Sequence, residues 1–156
     1  MECRCASSGT QSMFCKWIRA VDSWRGGPAR RDCVFVDHSP DLEGFLGLLV
    51  ARVHLFLSIS YDKTKYPCAL VSWFLTVGSS PCPYTGMWIV EPDFDNMEKK
   101  AMSIIHLDTI LCGAHLIGNA GSSHIPHDLT CHDSLDTFAS FFVNRYVDYH
   151  SHEIAF

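Results

Sequence analysis

Between residues 51 and 59 apolar and polar positions alternate, with Ala51, Val53, Leu55, Leu57 and Ile59 on one side of an extended chain and Arg52, His54, Phe56 and Ser58 on the other. Successive strand side chains point to opposite faces, so this pattern predicts a strand with one face buried. The polar "YDKTK" (61–65) is short enough for a hairpin connection, and "YPCALVSWF" (66–74) then runs apolar on both faces. Tyr66, Cys68, Leu70 and Phe74 oppose Ala69, Val71 and Trp73, and Pro67 fits if it opens the strand or lies on an edge, because it cannot donate to a ladder.

Further short apolar runs flank this pair. "DCVFV" (32–36) precedes it, while "MWIVEP" (87–92), "AMSIIHLDTI" (101–110) and "CGAHLIG" (112–118) follow, separated by loops rich in Gly, Ser, Pro and charge at 77–86, 93–100 and 118–128. Close spacing without a helical period predicts a mainly β fold, a small curled sheet or barrel. Towards the C-terminus, Leu135, Phe138, Phe141 and Phe142 suit a helix, whereas Ala139, Phe141, Val143, Val147 and Tyr149 alternate as in a strand. We expect a helical turn at 134–139, a strand at about 140–147 and a helical end, with Asp133 or Ser134 as cap.

Composition changes this picture little: 156 residues, 47% hydrophobic and 19% charged, describe one ordinary globular domain. Charge adds an asymmetry. Residues 1–31 carry six basic side chains (Arg4, Lys16, Arg19, Arg25, Arg30, Arg31) against Glu2 and Asp22, a net of +4, whereas the remainder carries −9. With "WRGGPARR" closing the segment, residues 1–31 are expected to form a poorly ordered basic leader and residues 32–156 a single β-rich domain. Arg25, Arg30 and Arg31 are then candidates for phosphate contacts, since cationic side chains gain affinity by releasing counterions from nucleic acid.

No run approaches the length of a membrane span, "LLVARVHLFLSIS" being broken by Arg52 and His54, and the N-terminus lacks an apolar signal core. An intracellular protein with no membrane partner is expected, its eight cysteines free thiols without a C-x-x-C pair.

Candidate chemistry is sparse. His124, His127, Cys131 and His132 lie within nine residues and are types that zinc accepts, but structural sites usually pair two close couples across a longer spacer, so this is a weak metal candidate read first as solvated loop. Cys68 sits among apolar strand residues, as a small hydrophobe rather than a nucleophile would. Glu91, Asp93 and Asp95 in "EPDFD" could serve two-metal nucleotidyl transfer, but a solvated turn is the simpler reading. There is no G-x-S-x-G, and Gly44 and Gly47 do not form a phosphate loop, so neither catalytic residues nor a cofactor is assigned. Trp73, Phe74, Tyr84 and Trp88 surround one strand-loop-strand unit and could cage a methylated ammonium, although aromatics at such positions are the usual filling of a β core.

The ordered segments "RRDCVFVDHSPDLEGFLGLLVARVHLFLS", "YPCALVSWF", "TGMWIVEPDFD", "SIIHLDTILCGAHLIG" and "FFVNRYVDYHSHEIAF" resemble the C-terminal region of Plavaka-type transposase-like proteins of mushroom-forming fungi, over residues 24–156. In that family the strand-transfer chemistry belongs to an upstream nuclease domain, so the resemblance implies a non-catalytic accessory or interaction module. Its expected partners are protein, chromatin or DNA, and its expected place is the nucleus. The strand pattern also resembles SH3-like and bromo-adjacent-homology barrels, an architectural likeness. Two departures stand out. "SSPCPY" (79–84) replaces an acidic loop, and Phe45 and Leu46 replace Met-Arg, so no charged contact carries over to these loops. The alternatives are a small zinc-binding or Cys/His-dependent enzyme, and a relic of a decayed element.

Overall fold

The computed structural model describes residues 2–6, 15–122, 124–147 and 149–156. Its centre is a pair of fourteen-residue strands, β5 (Leu48–Tyr61) and β6 (Thr64–Val77), paired antiparallel from Val50↔Phe74 to Tyr61↔Thr64. The turn between them holds Asp62 and Lys63 at φ 45° and 62°. Two positive φ values in a two-residue loop match the right-handed twist of the flanking strands, which is why so short a connection closes here.

Around this hairpin, β4 (Cys33–Asp37) pairs with β5, and β9 (Ile110–Ala114) with β4. On the other side, the free edge of β6 is shared along its length. β8 (Met102–His106) takes the Cys68–Ser72 part and β7 (Ile89–Pro92) the Phe74–Val77 part, followed outward by β11 (Ser140–Val143) and β10 (Leu116–Asn119). Eight antiparallel strands result, in the order β10-β11-β7-β6-β5-β4-β9 with β8 beside β6. The fold is mainly β as the sequence predicts, and of the two forms expected, curled sheet and barrel, it is the unclosed sheet. The C-terminal expectation matches in the order of its elements: α1 (Ser134–Thr137) is a single helical turn, β11 follows but ends at Val143 short of residue 147, and α2 (Tyr149–Ala155) is helical, while Asp133 stands at the start of α1 without a side-chain cap hydrogen bond.

Both faces of the sheet are buried at its middle, which explains the continuous apolar character of β4 and β6. One face gathers Phe35, Val50, Phe74, Val90, Cys112, Phe141 and Val143 under Phe45, Trp88 and Ala155. The lid over it is the short 3-10 segment Gly44–Gly47 with α2. The opposite face gathers Val34, Val36, Ala51, Val53, Phe56, Ala69 and Val71, closed over by Ile18 and Ala20.

Those last two residues revise the expected leader. Residues 15–31 contain β2 (Cys15–Val21) and β3 (Arg30–Arg31), which pair through Ala20↔Arg31 and Val21↔Arg30, with β1 (Glu2–Ala6) on the other side of β2. Ile18 is 1% exposed and Ala20 6%. The burial of two apolar residues spaced by two, on the strand beside a bare sheet face, outweighs the charge of the intervening Arg19. The side chains of residues 2–6, Cys15 and Lys16 lie outside the description, as do residues 7–14.

A second revision concerns β5. Its alternation breaks at His54, the extra residue of a bulge that carries the register from Val53↔Val71 to Leu55↔Leu70. A bulge inverts the parity of all that follows. Phe56 therefore shares the buried face with Ala51 and Val53, and Leu55 is half exposed.

Candidate functional site

The arginines of the N-terminal segment converge on one aromatic ring. After β2 the chain turns through Arg25 and Gly26, at φ 52° and 77°, with Gly27 N–H donating to the Trp24 carbonyl (2.9 Å) and Trp24 N–H to that of Pro28 (3.1 Å). The return brings Arg30 back beside Val21. Trp24 thereby stands under three guanidiniums, Arg19 at 4.3 Å from the ring centroid, Arg30 at 5.3 Å and Arg25 at 5.4 Å. The electron-rich face of indole attracts each cation and lets like charges lie closer than they otherwise would.

Two carboxylates hold the frame. Asp32 accepts from Arg30 Nε (2.8 Å) and from the backbone N–H of Arg19 (2.9 Å), and Asp22 accepts from Arg31 Nη2 (2.9 Å). Four arginines against two aspartates leave a formal excess of positive charge, with Arg25 and Arg30 exposed. Sequence reasoning placed Arg25, Arg30 and Arg31 in this role and missed Trp24 and Arg19. The signal available was the Gly-Gly-Pro turn, which folds the two arms of "RAVDSWRGGPARR" onto each other.

The proposed aromatic cage is not assembled. Phe74 and Trp88 are buried, Phe74 packing edge-on against Phe141 (5.7 Å) and Trp88 stacking on Phe45 (5.0 Å). Trp73, one residue from Phe74, points to the opposite face, where its indole N–H donates to Ser103 Oγ (2.6 Å). Tyr84 projects into solvent at 96% exposure. The four residues are close in sequence and divided among two faces and a loop.

In the histidine loop, the rings of His124 and His127 lie 5.6 Å apart, and Cys131 Sγ contacts His132 Nε2 at 3.6 Å. Among the described residues no three His, Cys, Asp or Glu side chains come together as metal ligands would. Asp95 is occupied within its turn, accepting from the N–H groups of Met97 (2.8 Å) and Lys99 (3.0 Å).

A second polar centre, unmarked in the sequence, lies where α1 meets the sheet. Arg52 Nη1 donates to both Asp136 oxygens (3.1 and 2.9 Å), and Lys100 Nζ donates to the same carboxylate. Burial alone would raise the Asp136 pKa, but the hydrogen bonds from Lys100 and Arg52 prevail and hold it below the ordinary range. Beside it, His54 Nε2 and Ser72 Oγ are 2.8 Å apart, and the His54 pKa is lowered, first by burial and then by Arg52. Cys33, opposite Arg52 on β4, is pushed up to about 12 by burial, which suits a packing thiol. The adjoining depression, of about 510 Å³, is bordered by Glu91, Phe94, Lys100, Leu135, Asp136 and Phe138. Ser72 is only 3% exposed, so this arrangement clamps α1 to the sheet and does not present a nucleophile.

No helix among the described residues is long and apolar enough to cross a membrane. No protein-family model, curated protein or solved structure matches this chain.

Proposed function

We propose that this protein is a non-catalytic interaction module, akin to the accessory C-terminal region of a fungal transposase-like protein, that engages the phosphates of DNA through the surface around Trp24. The observation that carries the proposal is the gathering of Arg19, Arg25 and Arg30 within 4.3–5.4 Å of one indole ring on an otherwise acidic chain. A locally basic surface on a negatively charged body orients the protein towards a polyanion and keeps the remainder off it. The exposed Arg25 and Arg30 reach phosphate while Asp32 and Asp22 keep the frame rigid through Arg30 and Arg31. The segment resemblance over residues 24–156 supports the same reading and takes in Trp24, Arg25, Arg30 and Arg31, with Arg19 lying before it.

Fluorescence anisotropy with a labelled DNA duplex tests it. Binding should weaken steeply between 50 and 300 mM salt, with a log–log slope of roughly −0.9 for each phosphate neutralised. The double substitution Arg25→Ala with Arg30→Ala should flatten that slope by about two phosphate equivalents. Absence of binding at low salt, or a slope untouched by the substitutions, would reject the proposal.

A further inference from the structure

Burial along β2 alternates residue by residue. Ile18 and Ala20 press inward on the large sheet, so Trp17, Arg19 and Val21 belong to the opposite, outward face. Residues directly opposite in a ladder share a face, and the pairing Val21↔Arg30 therefore sets Arg30 on the outward side as well. Trp24 joins this face from the turn, with the Arg19 guanidinium 4.3 Å from its ring centroid.

The two indoles differ in what they present. Trp24 is half-buried, its ring attended by Arg19, Arg25 and Arg30. Trp17 is 48% exposed and stands two residues before Arg19 on the same face, about 7 Å away along the strand. Arg19 Nη1 donates back to the Trp17 carbonyl (3.3 Å), which ties the cation to the residue that presents the ring. A cation and an exposed ring set side by side in this way match the two ends of one nucleotide, its phosphate and its base.

Attraction to phosphate does not by itself require the ring. Indole carries one N–H donor and no acceptor, so it is poorly equipped to read base edges, and what it offers is a flat apolar face. In a duplex the bases cover one another's faces and only their edges reach the grooves. In a single strand those faces are open, and stacking on an aromatic side chain raises affinity by about ten-fold for a base so placed, whatever its identity.

We propose that the outward face of β2 and β3 binds single-stranded DNA, with a base stacked on Trp17 and the backbone running past Arg19 to the exposed Arg25 and Arg30. This rests on the phosphate contacts proposed above and adds the form of DNA that the surface prefers.

Fluorescence anisotropy tests it, with a labelled oligothymidylate of about 20 nucleotides and the duplex formed with its complement, both at about 100 mM salt. The duplex has the denser charge, so a surface that reads charge alone would favour it. The expected result is the reverse, a single strand bound about ten-fold more tightly than the duplex. Trp17→Ala should abolish that preference with little change for the duplex, and Trp17→Phe, which keeps an aromatic face, should retain most of it. A strand of the same length built from abasic sites carries the same phosphates and no ring to stack. It should bind the unsubstituted protein about ten-fold less tightly than oligothymidylate, a comparison that holds whatever the substitutions do to folding. A duplex bound as tightly as the strand, or an abasic strand bound as tightly as oligothymidylate, would overturn this inference and leave the phosphate contacts standing. Binding of neither strand nor duplex at low salt would overturn both.

Discussion

Phe141 shows how much a single side chain carries on a strand of only four residues. It is fully buried, meets Phe74 and Phe138 edge-on at 5.7 and 6.3 Å, and sits opposite Val90. Phe141→Ala removes this contact and leaves a cavity that the strand pairing cannot close. A loss of about 3–5 kcal/mol is expected, checked by urea unfolding at constant m value. The same scale explains what was legible in the central aromatics. For Phe74 and Trp88, though not for the exposed Tyr84, burial was readable, because alternation and apolar neighbours pointed to a core. Their grouping was not, because Trp73 and Phe74 are consecutive on a strand and must face opposite sides. Trp24 escaped notice for the converse reason: its three cations come from both sides of a turn, and spacing along the chain does not reveal that convergence.

Among the elements, the β5–β6 hairpin was the clearest in the sequence, since a sustained alternation, a short polar connection and a second apolar run occur in order. What the pattern did not disclose was the bulge at His54. A bulge exchanges one local regularity for another, and the two halves of β5 each alternate correctly on their own. The turn itself carries strain that the sequence tolerates: Lys63 has φ 62°, a conformation in which its Cβ is crowded. Lys63→Gly should relieve that crowding and stabilise the protein by about 0.5–1 kcal/mol, read as a rise in the thermal midpoint. A fall would mean that the lysine side chain contributes contacts that outweigh its backbone cost.

Across the whole molecule, stability should decline with acid in two stages. His54 binds a proton less readily when folded, because burial and then Arg52 oppose its charge. Its contribution is complete above the unfolded histidine pKa of about 6.5 and is lost as pH falls through the lower folded value. Asp136, held down by Lys100 and Arg52, follows the same sign from its unfolded value of about 3.9. Its carboxylate is half exposed, so the second stage should be shallow. Urea midpoints from pH 8 to pH 3 would resolve both, and His54→Asn should remove the first while leaving the second. A flat profile between pH 8 and 5 would show that His54 is protonated as readily in the folded protein as in the unfolded chain. None of this polar clamp was visible beforehand, since its members lie as far as 84 residues apart.

The seating of Ile18 and Ala20 on the sheet has a practical corollary. A fragment cut at residue 32, where charge and glycine invite a boundary, would uncover Val34, Ala51, Val53 and Val71 to water along one continuous strip. That strip is β-structured and free of charge, the kind of surface on which unrelated chains adhere. The first strands therefore act as a shield for the remainder, and an arm that looks dispensable by composition is what keeps this apolar face from water.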